Sequence, residues 1–391
     1  MTSPIIIVGA GQAGAQAVQS LRQGGYDGRL VMIGAEPHLP YQRPPLSKKF
    51  LTFDTDEERL LLRPAALYDD LNVEVKIGTA VTQIDTARHT IRLLDGTTLD
   101  YAKLIISTGM RPRPLSIPGV ELKGVVMLRS LMDAALIRGH LQPGTRAVVI
   151  GGGYIGLEVA AVAKTLGMTV TVLEAAERVL GRVVAPDVSA FFTRLHRGRG
   201  IDLKVATGVT SIEGETHVTG VRLADGSVVP ADLVLVSIGA TPDTTLAETA
   251  GLSVRDGILV DSEARTSAMD IYAAGDCARF DSALYGRSIR LESVQNAIDQ
   301  AKAAAASILG QPVTYDPVPW FWSDQYDIKL QIVGLSTGYD TFHIDGDPEN
   351  GPFSVAYVRE GRLLAVDSIN HPRRHMQARK MVGSAWTGWP T

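Results

Sequence analysis

The sequence predicts an α/β protein in which two similar strand–turn–helix units are followed by a C-terminal α+β domain. Three observations predict it. A short apolar strand followed by three spaced glycines occurs twice, first after Ile5–Val8 and again after Ala147–Ile150. Each copy leads to a second apolar strand that ends in an acid. After residue 312 the pattern changes to strand-like segments separated by turns.

The first copy runs from Ile5–Val8 through Gly9, Gly11 and Gly14 into a helix and then a strand from Leu30 to Glu36. The second copy runs from Ala147–Ile150 through three further glycines, a second helix and a strand from Thr169 to Glu174. Its glycines are Gly151, Gly153 and Gly156. Each copy therefore has the pattern of one βαβ unit.

Two later strands end at a glycine that a proline-containing stretch follows, at Leu104–Gly109 and at Leu233–Gly239. Because proline cannot continue a strand, we interpret these junctions as crossings between domains. A helix is expected from Val294 to Leu309. We therefore expect one discontinuous domain in residues 1–110 and 240–312, a second in 111–239 and a third in 313–391.

The third domain contains strand-like segments that predict an antiparallel sheet, followed by one helix that closes it. The expected strands are Lys329–Val333, Phe353–Val358 and Arg362–Val366, and the expected helix is Arg373–Met381.

Composition excludes several classes of protein. Hydrophobic residues make up 45% and charged residues 20% of the 391, which is typical of a folded globular chain. The net charge of −4 gives no basic excess that would attract nucleic acid or an anionic membrane. No apolar run is long enough to span a bilayer, so a cytoplasmic location is expected.

Cys277 is the single cysteine. This excludes a disulfide framework, a dithiol redox centre and a metal site of clustered thiolates, and no metal is expected.

The two glycine motifs are typical of Rossmann-like dinucleotide-binding units. Their glycines allow a pyrophosphate to approach the backbone at a helix N-terminus, and an acid near the end of the second strand can accept the ribose hydroxyls. Glu36 and Glu174 hold that position. Because a carboxylate repels a 2′-phosphate, the second site is expected to prefer NADH to NADPH, although Arg178 and Arg182 leave this open. Two dinucleotides in one chain indicate hydride transfer between a nicotinamide and a flavin.

Several further segments resemble the ferredoxin reductases of bacterial oxygenase systems. They are the runs His38–Lys48, Ile271–Ala278, Arg290–Asn296 and Pro319–Asp324. The resemblance is to the putidaredoxin reductase and biphenyl dioxygenase ferredoxin reductase type, within the glutathione-reductase-like fold, and it covers essentially the whole chain. It implies noncovalent FAD on the first glycine motif and NADH on the second.

Carried over residue by residue, the resemblance implies a set of cofactor-binding residues. For FAD they are Gly9, Gly11, Gly14, Glu36, Arg43, Lys48, Thr108, Gly109, Gly275, Asp276, Glu292, Ser293, Val294 and Trp322. For NADH they are Gly151, Gly153, Tyr154, Ile155, Gly156, Glu174, Arg182 and Gly239.

The resemblance also implies that Lys48 lies near flavin N5 and pairs with Glu158, so both are predicted catalytic residues. A fixed cation there would stabilise the negative charge that hydride transfer places on the flavin. The alternative is that the two are unrelated surface charges. Trp322, and less so Trp320, would lie against the flavin ring, or at least one of them would instead be a core residue.

Disulfide reductases of this fold carry a cysteine pair shortly after the first glycine motif, but residues 37–63 contain no cysteine. Electrons must then pass directly to an external carrier, and a [2Fe-2S] ferredoxin feeding a Rieske-type oxygenase or cytochrome P450 fits best. An NADH:rubredoxin reductase or NADH oxidase remains the alternative, and a flavin-containing scaffold without this activity is disfavoured.

Because such ferredoxins are acidic, we expect a basic docking patch. Its expected residues are Arg290, Arg373, Arg374, Arg379 and Lys380, and the alternative is an ordinary solvated helix face.

Overall fold

A computed structural model describes residues 3–390. Its helices are α1 (Gln12–Gln23), α2 (Glu57–Leu60), α3 (Ala65–Asp70), α4 (Leu131–His140), α5 (Tyr154–Thr165), α6 (Pro186–Gly198), α7 (Thr245–Thr249), α8 (Val294–Ile308) and α9 (Pro372–Met381), with a 3₁₀ turn at Pro44–Ser47.

The strands of the first half are β1 (Ile5–Val8), β2 (Leu30–Ile33), β3 (Val73–Lys76), β4 (Val81–Asp85), β5 (Thr90–Leu93), β6 (Thr98–Asp100), β7 (Lys103–Ile106), β8 (Met110–Pro112), β9 (Val125–Val126), β10 (Arg146–Ile150) and β11 (Thr169–Leu173). Those of the second half are β12 (Asp202–Lys204), β13 (Val209–Gly214), β14 (Val218–Leu223), β15 (Val228–Pro230), β16 (Leu233–Val236), β17 (Ala240–Pro242), β18 (Ile258–Val260), β19 (Ile271–Ala273), β20 (Ala278–Ser282), β21 (Arg287–Arg290), β22 (Trp320–Gln325), β23 (Ile328–Gly334), β24 (Thr341–Gly346), β25 (Phe353–Arg359) and β26 (Arg362–Ile369).

The chain divides into two compact units. Unit 1 consists of Met1–Gln42, Glu58–Arg111 and Thr241–Pro319, and unit 2 of Arg43–Glu57, Pro112–Ala240 and Trp320–Thr391.

Unit 1 is built on a five-stranded parallel sheet in the order β19-β7-β1-β2-β3. Its central strand β1 is buried at every position because the sheet is covered on both faces, as parallel sheets require. Helices α1 and α8 pack together with the sheet through small residues such as Ala17, Ala301 and Ala304. Their short side chains let the helices approach closely, so the glycine turn after β1 is held against a rigid core.

Unit 2 contains a second five-stranded parallel sheet, in the order β12-β11-β10-β16-β9. The first four of these strands correspond in order to β3, β2, β1 and β7 of unit 1. Each unit also carries a three-stranded antiparallel sheet, β4-β5-β6 in unit 1 and β13-β14-β15 in unit 2. Along the chain the first follows β3 and precedes β7, and the second follows β12 and precedes β16, which are the corresponding strands. The predicted internal repeat is therefore confirmed, and it extends beyond one βαβ unit to most of each sheet.

The C-terminal part of unit 2 is a five-stranded antiparallel sheet in the order β22-β23-β26-β25-β24, with α9 packed on β23 and β26. The predicted strands correspond to β23, β25 and β26 and the predicted helix to α9. Strand β24 was not predicted. Most of its residues are exposed, so it lacks the alternation of buried and exposed positions that identifies a strand in a sequence.

Within residues 3–390 no helix is long and apolar enough to cross a membrane.

Candidate functional site: two glycine turns and a buried lysine–glutamate pair

The two glycine turns have the same construction. Gly9 and Gly151 have φ of +116° and +110°, which residues with a side chain rarely adopt. A Cβ at Gly9 would lie 2.2 Å from the Ser107 carbonyl oxygen, and one at Gly151 would lie 2.2 Å from that of Ser237. Both glycines are therefore required by close contact between the turn and the neighbouring strand end.

The third glycine of each motif packs the helix against the turn. A Cβ at Gly14 would lie 2.0 Å from the Gly9 carbonyl oxygen, and one at Gly156 would lie 2.3 Å from that of Gly151. In each motif, the first and third glycines therefore allow the strand end, the turn and the first turn of the helix to pack in direct contact.

The middle glycines differ from the others because they face open space. A Cβ at Gly11 or Gly153 would meet no protein atom within 4 Å. Both glycines are helix N-caps without a side-chain cap, and neither helix has an acid in its first turn. Each turn therefore leaves backbone N–H groups and a positive helix end facing space that a phosphate can enter, which fits a dinucleotide pyrophosphate at both positions.

The acids that follow the two motifs are held by hydrogen bonds. Tyr41 donates its hydroxyl to Glu36 Oε2 at 2.5 Å. Glu174 Oε2 accepts the Gly152 N–H at 2.7 Å, and its Oε1 accepts the Ala176 N–H at 2.8 Å. Glu174 is thus fixed beside the second glycine turn, as a ribose-binding acid requires.

The two arginines beside Glu174 differ in their surroundings. Arg178 donates to the carbonyl oxygens of Gly181 and Val184, at 2.7 and 2.8 Å, so it holds its own loop together. Arg182 is exposed, and one of its guanidinium nitrogens approaches to 3.4 Å the position that a Cβ at Gly239 would occupy. Of these two arginines, Arg182 is therefore the one that a 2′-phosphate could engage without disrupting the loop.

Lys48 and Glu158 form a buried ion pair within unit 2. Lys48 Nζ lies 2.6 Å from Glu158 Oε2, and the side chains are 18% and 3% exposed. The same Oε2 accepts the Ser47 hydroxyl at 2.5 Å, and Oε1 accepts the Ser323 hydroxyl at 2.6 Å. The alternative that Lys48 and Glu158 are unrelated surface charges is therefore wrong.

The helix that carries Glu158 begins at the second glycine turn, so the same element holds the turn and the ion pair. Tyr154 in its first turn packs against Phe321 with ring centres 4.9 Å apart, and burial raises the pKa of Tyr154 well above its usual value. The next residue, Ile155, is 44% exposed, which is unusual for isoleucine and leaves an apolar surface beside the turn.

Strand β22 begins with three aromatic residues, of which Trp320 and Trp322 lie on one face and Phe321 on the other. Trp320 and Trp322 stack on each other at 5.7 Å, and both are partly exposed. Neither is therefore a core residue, so the core alternative is wrong for both.

Other predicted FAD residues of unit 1 lie at strand and helix ends. Gly275 and Asp276 follow β19, and the Gly275 N–H is bonded to Gln300 at 2.9 Å. Ser293 is the N-cap of α8 and precedes Val294, its first residue, while the neighbouring Glu292 is exposed. Thr108 donates to the Asp243 carbonyl oxygen at 2.6 Å, and Gly109 has a φ of +72°. In unit 2, Arg43 donates to the Arg129 carbonyl oxygen at 2.8 Å.

Comparison with known protein families decides the assignment. The model of the pyridine nucleotide-disulphide oxidoreductases matches residues 3–301. The chain belongs to this family. A second model, described as the reductase C-terminal domain, matches residues 320–387 of the same oxidoreductase chain.

Three similar proteins indicate which members of this oxidoreductase family the chain resembles. Putidaredoxin reductase CamA of Pseudomonas putida is 44% identical over 97% of this chain and 91% of its own. A rubredoxin–NAD(+) reductase of Pseudomonas putida is 41% identical over 95% of this chain and 96% of its own. The crystal structure of the ferredoxin reductase for the CYP199A2 system from Rhodopseudomonas palustris has a TM-score of 0.96 at 42% identity, covering 99% of this chain and 96% of that one. The predicted α/β fold and the predicted resemblance to ferredoxin reductases are confirmed.

The family name refers to a disulfide that this oxidoreductase does not carry. Cys277 is its single cysteine and is fully buried in unit 1, where burial raises the pKa of the thiol. The interpretation of Cys277 as a structural thiol fits this environment.

The predicted basic patch needs correction at two residues. The Arg290 side chain is 10% exposed and pairs with Glu292 and Asp256. Arg374 is 17% exposed and pairs with Asp345 at 2.7 Å. Their charges are neutralised inside their own units, so the expectation that they form an exposed cationic surface is wrong. Arg373, Arg379 and Lys380 are exposed on α9.

Sequence reasoning missed the hydroxyl groups that surround Glu158. Ser47 and Ser323 both lie within the segments that carry the family resemblance, but serine is common and gives no signal of its own. Strand alternation provides a partial signal, since it places Ser323 on the opposite face of β22 from Trp322.

Proposed function

We propose that this oxidoreductase transfers electrons from NADH through noncovalent FAD to a [2Fe-2S] ferredoxin that feeds a Rieske-type oxygenase or a cytochrome P450. The observation that carries the proposal is the pair of equivalent glycine turns in one chain, each with an open middle glycine and a fixed acid. FAD, when bound, accepts a hydride equivalent from NADH and releases the two electrons singly.

The first glycine turn and Glu36 are assigned to FAD and the second turn and Glu174 to NADH. Gly11 and Gly153 provide the phosphate space, and the two acids accept ribose hydroxyls. The remaining FAD residues are Arg43, Thr108, Gly109, Gly275, Asp276, Glu292, Ser293, Val294 and Trp322, and the remaining NADH residues are Tyr154, Ile155, Arg182 and Gly239.

The domain assignment follows from the same division. Residues 1–110 and 240–312 form the FAD domain, 111–239 the NAD domain and 313–391 the C-terminal domain. The two parallel sheets and the separate antiparallel C-terminal sheet support a division into three domains. The two compact units differ from it in detail, because residues 43–57 and the C-terminal sheet both belong to unit 2.

Lys48 acts as a fixed cation in the transfer step, and Glu158 orients it. A preorganised positive charge stabilises negative charge that develops nearby, and it is most effective where water is largely excluded. The pair largely meets this condition, because the Lys48 side chain is 18% exposed and that of Glu158 is 3% exposed. Lys48 does not need to act as a nucleophile or to lose its proton.

Electrons are expected to pass directly to an external acceptor, because the chain has no cysteine pair that could take up two electrons as a dithiol. The similarity to putidaredoxin reductase and to the CYP199A2-system ferredoxin reductase favours a one-electron carrier as that acceptor. We assign docking to a basic helix surface, defined as Arg373, Arg379 and Lys380 of α9. Arg379 lies 5.2 Å above the ring of Trp320, so this surface adjoins the strand that carries Trp322. Such a surface complements an acidic ferredoxin.

The acceptor is tested with purified proteins under anaerobic conditions. NADH should bleach the bound flavin, and a [2Fe-2S] ferredoxin should then be reduced faster than a rubredoxin. Exclusion of dioxygen should not slow ferredoxin reduction. The 41% identity to a rubredoxin reductase makes rubredoxin the second candidate, and faster reduction of rubredoxin would establish it instead.

The docking surface is tested by the double variant Arg373→Glu with Lys380→Glu. It should raise the KM for ferredoxin and weaken its salt dependence, because complementary charges steer association, while flavin reduction by NADH stays unchanged. Arg88→Glu is the matched control, since Arg88 is an exposed arginine (82%) of unit 1. An unchanged KM in the double variant would place docking elsewhere.

A further inference from the structure

A line of buried polar side chains leads from α6 to Glu158. His196 Nε2 lies 2.7 Å from Gln325 Oε1, Gln325 Nε2 lies 3.2 Å from Ser323 Oγ, and Ser323 Oγ lies 2.6 Å from Glu158 Oε1. The four side chains are between 0% and 4% exposed. All three hydrogen bonds between these four side chains are made, while the outer ring nitrogen, His196 Nδ1, is buried without a hydrogen-bond partner among the described residues.

Only one arrangement of hydrogens satisfies this line. The Glu158 carboxylate, paired with Lys48, accepts the hydrogen bond that the Ser323 hydroxyl donates. Ser323 Oγ then accepts from the Gln325 amide nitrogen, which leaves the Gln325 carbonyl to accept from His196 Nε2. The Gln325 carbonyl requires a hydrogen on His196 Nε2, and burial lowers the pKa of His196, which favours the neutral ring. The hydrogen bond that Ser323 Oγ accepts from Gln325 therefore fixes the direction in which its hydroxyl donates, toward Glu158.

The position of Ser323 on β22 explains why the hydroxyl is rigid. Ser323 is paired with Leu330 of β23, and Gln325 lies two residues further along the same face. The neighbouring Phe321, also on that face, packs on Tyr154 of α5. The Phe321–Tyr154 contact therefore holds β22 against α5 on one side of the Ser323–Glu158 hydrogen bond, and the Gln325–His196 hydrogen bond joins β22 to α6 on the other side.

We propose that Ser323, oriented by Gln325 and His196, is a positioning residue that holds the Glu158 carboxylate for Lys48. This inference rests on the proposed function. Ser323 satisfies Oε1 and Ser47 satisfies Oε2, so both carboxylate oxygens remain hydrogen-bonded when Lys48 turns away from the pair. Lys48 can then move toward developing negative charge without leaving Glu158 as an unsatisfied buried ion.

The test is a double-mutant cycle of Ser323→Ala and Glu158→Ala, with flavin reduction by NADH followed by stopped flow. Ser323→Ala should slow reduction about 10-fold, the size expected for one hydrogen bond to a charged group. The NADH concentration that gives half the maximal rate should stay the same, because the glycine turn and Glu174 are untouched. In the Glu158→Ala background the same change should alter the rate less than about twofold, because Ser323 acts through Glu158.

Thermal unfolding of the flavin-containing proteins is the second measurement. Ser323→Ala should lower the midpoint by about 2 °C in the wild-type background and by less than half of that beside Glu158→Ala. Ser368→Ala is the matched control, because Ser368 is a fully buried serine of the same sheet whose hydroxyl bonds to Ser354 at 2.9 Å. It should leave the reduction rate unchanged.

Equal slowing by Ser323→Ala in both backgrounds would show a general structural role and overturn the inference. If NADH reduces the flavin of Ser323→Ala as fast as that of the wild type, the inference is overturned as well. The proposed function would stand in that case, because NADH still reduces the wild-type flavin. Wild-type protein with its full flavin content that NADH does not reduce would overturn the proposed function itself.

Discussion

Replacement of Glu174 by glutamine tests how this enzyme chooses between NADH and NADPH. Both oxygens of the half-buried Glu174 carboxylate are occupied, by the N–H groups of Gly152 and Ala176 at 2.7 and 2.8 Å. The carboxylate cannot turn away from an incoming 2′-phosphate without breaking both bonds. The wild type is therefore expected to prefer NADH.

The size of the preference follows from the charge separation. Two like charges about 4 Å apart repel by about 1 kcal/mol in water and about 4 kcal/mol at the effective dielectric constant of a protein surface. Because Glu174 is half-buried, we take about 2 kcal/mol, which corresponds to roughly a 30-fold preference in kcat/KM. Glu174→Gln removes the charge and should reduce the preference to a few-fold. Its single carbonyl oxygen cannot replace both accepted bonds, so kcat/KM for NADH should also fall.

Steady-state kinetics with both nucleotides measure the two ratios. Glu177→Gln is the control, since Glu177 is an exposed glutamate on the same loop and should leave the ratio unchanged. Equal or better turnover with NADPH in the wild type would mean that the exposed Arg182 dominates. A ratio that Glu174→Gln does not change would refute the placement of Glu174 beside the ribose.

Three further predictions concern the cofactor, the ion pair and pH. Denaturation should release the flavin as FAD, identified by chromatography, and release of FMN or a flavin that stays attached to the chain would contradict the assignment. Lys48→Ala should slow flavin reduction by NADH about 10- to 1000-fold in stopped flow, the usual cost of removing a charge aimed at a developing anion; an unchanged rate at full flavin content would exclude this role. Burial raises the pKa of Asp367 from 3.8 to about 7. Between these pH values the folded state binds a proton that the unfolded state has released, so the free energy of unfolding of the wild type falls as pH rises. The unfolding midpoint of Asp367→Asn relative to wild type should therefore increase from pH 5 to pH 8, and a constant difference would show that Asp367 does not titrate in this range.

The sequence by itself determined the repeated architecture. Strands β1 and β10, the glycines after them and the helices that begin at Gln12 and Tyr154 are local features, because a buried parallel strand and a tight turn each restrict residue type strongly. The single cysteine excluded a dithiol mechanism without any structure. The resemblance in the segment ending at Lys48 also predicted its partner Glu158.

The tertiary structure decided which charges are available and how the central pair is held. The sequence predicts Arg374 as a surface cation, yet its partner Asp345 is 29 residues away along the chain, so only folding shows that this charge is neutralised. Ser323 meets Glu158 across 165 residues. Hydrogen bonds of this kind depend on the position of an oxygen to within a fraction of an ångström, which packing sets and residue type alone does not.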